Sequence, residues 1–216
     1  MRRRARDQGQ AFPLYLVMVG GLLFLAFAFF AVGMASATRS TAQGAADAAA
    51  LAAAQEARRQ LTGQWLDALD DPAAWQAIFD GSGEVLACGE AEGFAARNGA
   101  RLTAPCRAEM TPWLTYGVEV ETTEPIGASV VPGTEGKYAK ADAKAVVEPL
   151  CAVGPLPPEP TPSPSLSPTP DPDPDPGEDE DPRLPTLVCE DRIWDLGDDP
   201  DDLPEAKDLF EVRLVD

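Results

Sequence analysis

Four cysteines, Cys88, Cys106, Cys151 and Cys189, are the residues of this 216-residue chain best equipped for chemistry. No two of them form a CxxC pair, so a zinc site is not expected. The chain has no histidine. That removes Ser-His-Asp and Cys-His arrangements, the commonest general base and the commonest metal ligand. Asp and Glu together number 36. A catalytic pair among them would need one carboxyl held protonated in a cleft, and no acid stands in a context that singles it out. The run DPDPDPG at residues 171–177 places carboxylates like the first half of a calcium loop. Proline stands where such a loop needs glycine, and no glutamate follows at the twelfth position, so the run reads as a solvated acidic spacer. No catalytic residue, cofactor or metal is expected. An even number of cysteines outside a membrane reads as two disulfides with three connectivities open, against four unpaired thiols as the alternative.

That "outside" follows from the N-terminal elements. Residues 11–37 carry no charged side chain. As a helix they reach roughly 40 Å at about 1.5 Å per residue, more than the ~30 Å of a bilayer core. A signal-peptide apolar region is usually shorter, about 7–15 residues; Ala35-Ser36-Ala37 does fit a small-x-small cleavage site, so a cleaved signal is the second reading. Residues 1–10 form a leader with Arg2, Arg3, Arg4 and Arg6 against the single acid Asp7. Positive flanks stay in the cytoplasm, which makes the chain a single-pass membrane protein with its C-terminal domain extracellular. The whole chain carries −19; without the leader's charges the remainder carries −22. Such an exterior is repelled by nucleic acid, so no DNA or RNA partner is expected.

Residues 38–61, TRSTAQGAADAAALAAAQEARRQL, read as an alanine-rich helix. No proline interrupts residues 14–71, so span and outer helix form one rod. Ala31 and Ala35, then Ala45, Ala49 and Ala53, repeat a small residue every fourth position and suit close approach of a partner helix. Residues 62–153 read as a small α+β domain. Asp71-Pro72 starts a helix whose face is Trp75, Ile78 and Phe79. A second helix is expected over 84–97, stopped by Asn98-Gly99. Period-two alternation predicts strands over 114–121 and through KYAKADAKAVVE. Residues 154–186 form a Pro/Asp-rich spacer that excludes helix and sheet. In residues 187–216, Phe210, Val212 and Leu214 alternate as a returning strand, which needs the earlier sheet as support. That return brings Cys189 near Cys151. The expected pairs are therefore Cys88–Cys106, tying a helix to its return strand, and Cys151–Cys189, closing the spacer into a loop.

The arrangement RDQGQAFPLYLVMVGGLLFLAFAFFAVG followed by TRSTAQGAADAAALAAA resembles the TadE/TadG-like proteins of tight-adherence (Flp) pilus systems, closest to those of high-GC Gram-positive bacteria. The resemblance covers about the first 60 residues. It implies a membrane-anchored, non-enzymatic structural or assembly component, with pilus-assembly or pilin-like membrane proteins as partners of the N-terminal helix. In processed members a prepilin peptidase cuts after a glycine, with an acid and an aromatic at the fifth and sixth positions beyond. Gly9 and Gln10 fit the cut and Tyr15 fits the sixth position, but Leu14 stands where the acid belongs. Leucine cannot neutralise the freed amine, so the chain is expected to keep its leader. The other readings are an anchored cell-surface binding or adhesin-like module, built on Trp65, Trp75, Trp113 and Trp194 if these were exposed, and, behind it, an exported hydrolase.

Overall fold

A computed structural model describes residues 11–83, 85–126, 136–155, 184–190, 192–196 and 203–216. Its first element, α1 (Ala11–Asp67), is one helix of 57 residues, about 85 Å long at ~1.5 Å per residue. Pro13 sits in the first turn, where its missing N–H costs nothing. From there to Asp67 the run is proline-free and rich in leucine, phenylalanine and alanine. The helix thus continues past the expected end at residue 61.

The elements that follow are α2 (Pro72–Phe79), α3 (Cys88–Arg97), β1 (Ala100–Leu102), β2 (Arg107–Met110), β3 (Leu114–Thr122), β4 (Lys140–Pro149), β5 (Cys151–Val153), β6 (Leu187–Cys189), β7 (Ile193–Trp194), α4 (Ala206–Leu209) and β8 (Phe210–Val215). Five strands make one antiparallel sheet in the order β1-β3-β4-β8, with β2 also paired to β3. The other three make a small sheet, β5-β6-β7. The chain is therefore α+β, a long apolar helix leading into a disulfide-tied domain.

Alternation decides which face of the large sheet is inside. Leu114, Tyr116, Val118 and Val120 of β3, with Ala143, Ala145 and Val147 of β4 and Phe210 of β8, are buried. Thr115, Gly117 and Glu119 point the other way. The outer half of α1 lies between this apolar face and α3, and Ala45, Ala46, Ala49, Ala50, Ala53, Ala54 and Ala57 are all fully buried. Alanine's small side chain permits so close an approach on two sides of one helix. Those alanines were expected to meet a partner helix; in this fold Ala45, Ala49 and Ala53 meet the chain's own sheet and α3.

Two further differences are local. The second helix begins at Cys88, not residue 84. The Gln60 side chain donates to Leu86 O at 3.1 Å and accepts from Leu86 N at 3.0 Å, which holds residues 85–87 outside the helix. Its end is as expected: Gly99 takes φ +70°, the left-handed conformation that closes a helix. The returning strand pairs with β4 from Phe210↔Pro149 to Val215↔Lys144. Its apolar face is only partly used, since Phe210 is buried and Leu214 is 41% exposed at the open end of the sheet. Of the spacer, residues 156–183 lie outside the described residues, including the DPDPDPG run. Its ends meet at Val153↔Leu187 and Cys151↔Cys189.

The far end of the domain is an aromatic lock. Trp65 and Trp75 meet edge to face with centroids 5.9 Å apart, and Phe79 stacks on Phe210 at 5.5 Å. Trp65, Trp75 and Trp194 are buried and Trp113 is half-buried, so the tryptophans serve the core rather than an exposed aromatic patch.

Candidate functional site

A single helix in two surroundings is the feature that could act. From Phe12 to Met34 the side chains of α1 are mostly exposed, Leu14 at 64% and Tyr15 at 66% among them. The most apolar 18-residue window of the helix has a mean hydropathy of 2.5 and none of it is buried. By length and composition the helix is long and apolar enough to cross a membrane. From Ala42 onward the same helix is sealed into the domain.

The boundary is marked by polar groups. Thr38 Oγ1 donates to Met34 O and Thr41 Oγ1 to Ala37 O, each at 3.1 Å. Both hydroxyls are thus satisfied within the helix, where apolar surroundings would otherwise penalise them. Arg39 is the first charge after the apolar run. Gln43 Nε2 donates to Asp47 Oδ1 at 2.8 Å and to Asp142 O of β4 at 3.3 Å, the first polar tie between helix and sheet.

The residues singled out from sequence fall into separate places. Gly9 and Gln10 lie outside the described residues. Leu14 and Tyr15 stand in the first turns of α1. Ala31 is partly exposed within the apolar half, and Ala35 belongs to α1 although its side chain is outside the described set. Ala45, Ala49 and Ala53 are inside the domain. Cys88 is bonded to Cys106 and Cys151 to Cys189, with Cα–Cα distances of 5.6 and 4.0 Å. The first bridge joins the start of α3 to the segment entering β2. The second joins register partners at the root of the spacer.

Among the described residues no group of histidine, cysteine and carboxylate side chains could hold a metal ion. Three carboxylates of the sheet pair with arginines, Glu119 with Arg107, Glu121 with Arg101 and Glu148 with Arg213. One titratable pair lies inside, and sequence reasoning missed it: Tyr116 on β3 and Glu56 on α1. Glu56 pairs with Arg59 and accepts from Gln60 Nε2 at 2.6 Å. Burial, and then the Glu56 carboxylate, push the Tyr116 hydroxyl up to about 12. That hydroxyl has no hydrogen-bond partner among the described residues.

The pH dependence follows from that shift. Below pH 10 the tyrosine is protonated in both folded and unfolded chains, and its contribution is fully present. Between about pH 10 and 12 the unfolded chain releases the proton first, so stability falls as pH rises. The loss is on the order of 2 kcal/mol, since each pKa unit corresponds to about 1.4 kcal/mol. Urea unfolding from pH 9 to 12 should show a steeper decline for the native chain than for Tyr116→Phe. Near pH 7 the phenylalanine variant should be at least as stable, because it removes an unpaired buried hydroxyl. Parallel curves would refute the assignment.

Comparison with known proteins bears on the helix alone. Residues 9–56 match the TadE/G-like family of putative Flp pilus-assembly proteins. The TadE/G-like segment covers the apolar half of α1 and the first buried turns, and it stops before Leu61 and Trp65. No curated protein matches the chain, and no solved structure does either. The similarity therefore belongs to the helix that leads into the domain, while the sheet and both disulfides lie beyond it.

Proposed function

We propose that this chain is a membrane-anchored, non-enzymatic structural or assembly component of an Flp-type pilus or a related secretion system. One observation carries the reading: the TadE/G-like helix is uncharged and exposed over its first half and built into a folded domain over its second. An apolar helix of that length gains roughly 25 cal/mol for each Å2 of apolar surface taken out of water, and a bilayer is the surrounding that takes all of it. The leader arginines favour a cytoplasmic N-terminus, which puts the domain and its two disulfides in the oxidising space outside. Ala31 and Ala35 lie in the membrane-crossing half, where small residues let a second apolar helix approach. Other pilus-assembly or pilin-like membrane proteins are the partners that surface suits. Leu14, in place of an acid, favours retention of the leader.

The test has two readouts. A reporter active only outside the cytoplasm, fused after Asp216, should be active, and intact mass of the membrane-extracted chain should include the leader arginines. Activity only from a cytoplasmic reporter would reverse the orientation. A mature N-terminus at Gln10 would show that the peptidase accepts leucine at position 14, and one at Thr38 would mean release from the membrane.

A further inference from the structure

Strand β8 leaves one edge of the large sheet open, and its backbone groups there can be assigned. Leu150 N donates to Leu209 O at 2.9 Å, and the same register runs on to Val215↔Lys144. In an antiparallel ladder, residues that exchange both bonds with the partner strand alternate with residues that exchange none. Glu211, Arg213 and Val215 therefore turn their N–H and C=O toward β4. Phe210, Val212 and Leu214 turn theirs to the free side. Among the described residues β8 pairs with β4 alone. The opposite edge of the sheet is blunted. It is broken into β1 and β2, of three and four residues, with Pro105 and the bridged Cys106 between them. Strand β8 runs for six residues without proline, lysine or break. Its inward row ends in Leu214, 41% exposed, at a cleft shared with Gln43 and Asp47 of α1 that leaves room for an added side chain.

The open edge also carries a charge pattern. Glu211 and Arg213 stand on the outward row, between the inward Phe210, Val212 and Leu214. Arg213 bonds Glu148 at 2.8 Å and stands 3.9 Å from Glu211. An antiparallel strand added here complements both charges when it has an acid opposite Arg213 and, two residues on, a base opposite Glu211. With apolar residues on the inward row, its sequence reads apolar–acid–apolar–base–apolar. The segment FEVRL of β8 itself has that pattern. On the anchored reading a second copy cannot supply it. α1 lies along the inner face of the sheet. The two-fold axis that would pair β8 with β8 stands perpendicular to the sheet and reverses every direction in its plane, α1 included. The two helices would then leave toward opposite membranes. Joining β8 to a neighbour's β2 would swing the neighbour's α1 by about 80–100° over four strand steps, more than helices crossing one bilayer allow.

We propose that β8 is a docking edge for an extended segment of another assembly protein, a segment that reads apolar–acid–apolar–base–apolar and adds antiparallel to Phe210–Val215. The N–H and C=O of Phe210, Val212 and Leu214 hold its backbone, and the Glu211–Arg213 row sets its register. This deepens the pilus-assembly reading and rests on its anchor.

A labelled peptide of residues 208–216, DLFEVRLVD, is the probe, because it has the pattern without a domain or an anchor. The full-length chain in phosphatidylcholine vesicles should bind it saturably. Exchanging the acid and base, DLFRVELVD, should weaken binding about fivefold or more, since both cross-strand pairs become like-charged. An N-methyl group on the central valine should abolish binding, because that N–H faces the ladder. In the chain, Val212→Pro should do the same and leave the β4 ladder whole, since Val212 N–H faces away from β4. The N-methyl peptide keeps the test independent of how that variant folds. No binding, or binding that ignores these changes, in a chain that resists alkaline carbonate overturns the docking edge and leaves the anchor standing. The native cysteines are all bridged, so a disulfide-linked dimer of Val212→Cys in those vesicles would name a second copy as the occupant and overturn the proposal. A chain stripped off by carbonate overturns the anchor and the partner assignment together.

Discussion

Replacing Cys151 and Cys189 together with serine should lower the free energy of unfolding by about 4 kcal/mol on the chain-entropy account, given a separation of 38 residues. The same account gives about 3 kcal/mol for Cys88 and Cys106, whose separation is 18. The larger effect has a structural reason as well. β5, β6 and β7 are strands of three, three and two residues, too short to hold a sheet alone. Without the bridge, Leu187, Trp194 and Leu196 lose the frame that keeps them buried. Strand β8 should stay, because its register with β4 runs over six residue pairs. Urea unfolding of the full chain in detergent would give the difference. A loss below about 1 kcal/mol would mean that the spacer's ends are held by the fold without the bond. Protease cleavage within the spacer offers a second readout: the tail should remain attached before reduction, and after reduction it should still associate through β8.

Trp75→Ala is the other change with a large expected effect, a loss of about 3–5 kcal/mol. Trp75 is fully buried, meets Trp65 edge to face, and donates from Nε1 to Ala68 O at 2.7 Å. It therefore clips α2 onto the last turns of α1. Phenylalanine in its place keeps most of the apolar body and loses the hydrogen bond, about 1 kcal/mol plus the volume difference. The Ala68 carbonyl is not orphaned, since Asp71 N also donates to it. Trp65 makes the contrast. Its Nε1 has no partner among the described residues, so Trp65→Phe gives up no hydrogen bond and should cost less than Trp75→Phe. Near-UV circular dichroism and urea midpoints of the variants would show the ordering; the reverse ordering would remove the Ala68 bond from the account.

How far the sequence could be read depended on how far each element's pattern was its own. Leu114, Tyr116, Val118 and Val120 alternate cleanly, and so do Ala143, Ala145 and Val147, although alanine and lysine favour helix. The period prevailed because one face lies on α1 and the other in water. The start of α3 was not legible: it depends on Gln60, 26 residues earlier, gripping Leu86 from both sides. The strands of the small sheet are too short to carry a period. The alanine face was visible as a surface for close packing, but a string of alanines does not say what packs on it. Ala45, Ala49 and Ala53 went to α3 and to the chain's own sheet, whose strands β3 and β4 begin more than 60 residues further on. The Glu56–Tyr116 pair was hidden because each is ordinary in its own segment and only the packing of α1 on β3 joins them.

An uninterrupted α1 also sets the compass bearing of the domain. On the anchored reading proposed above, the apolar half of α1 is held in a bilayer while the other half is gripped by the sheet and α3; the helix is then a shaft, and the domain turns only when the shaft turns. One residue inserted between Ala37 and Ala42 would swing the domain by about 100° and raise it by about 1.5 Å. Seven inserted residues would bring the bearing back to within about 20° while lifting the domain by about 10 Å. Rotational phase and height above the lipid are thus set by one stretch of four residues, and a ladder of insertions there separates the two. A neighbour that reads the domain's direction would lose it at one insertion and regain it at seven. A neighbour that reads only its distance from the lipid would show no such recovery.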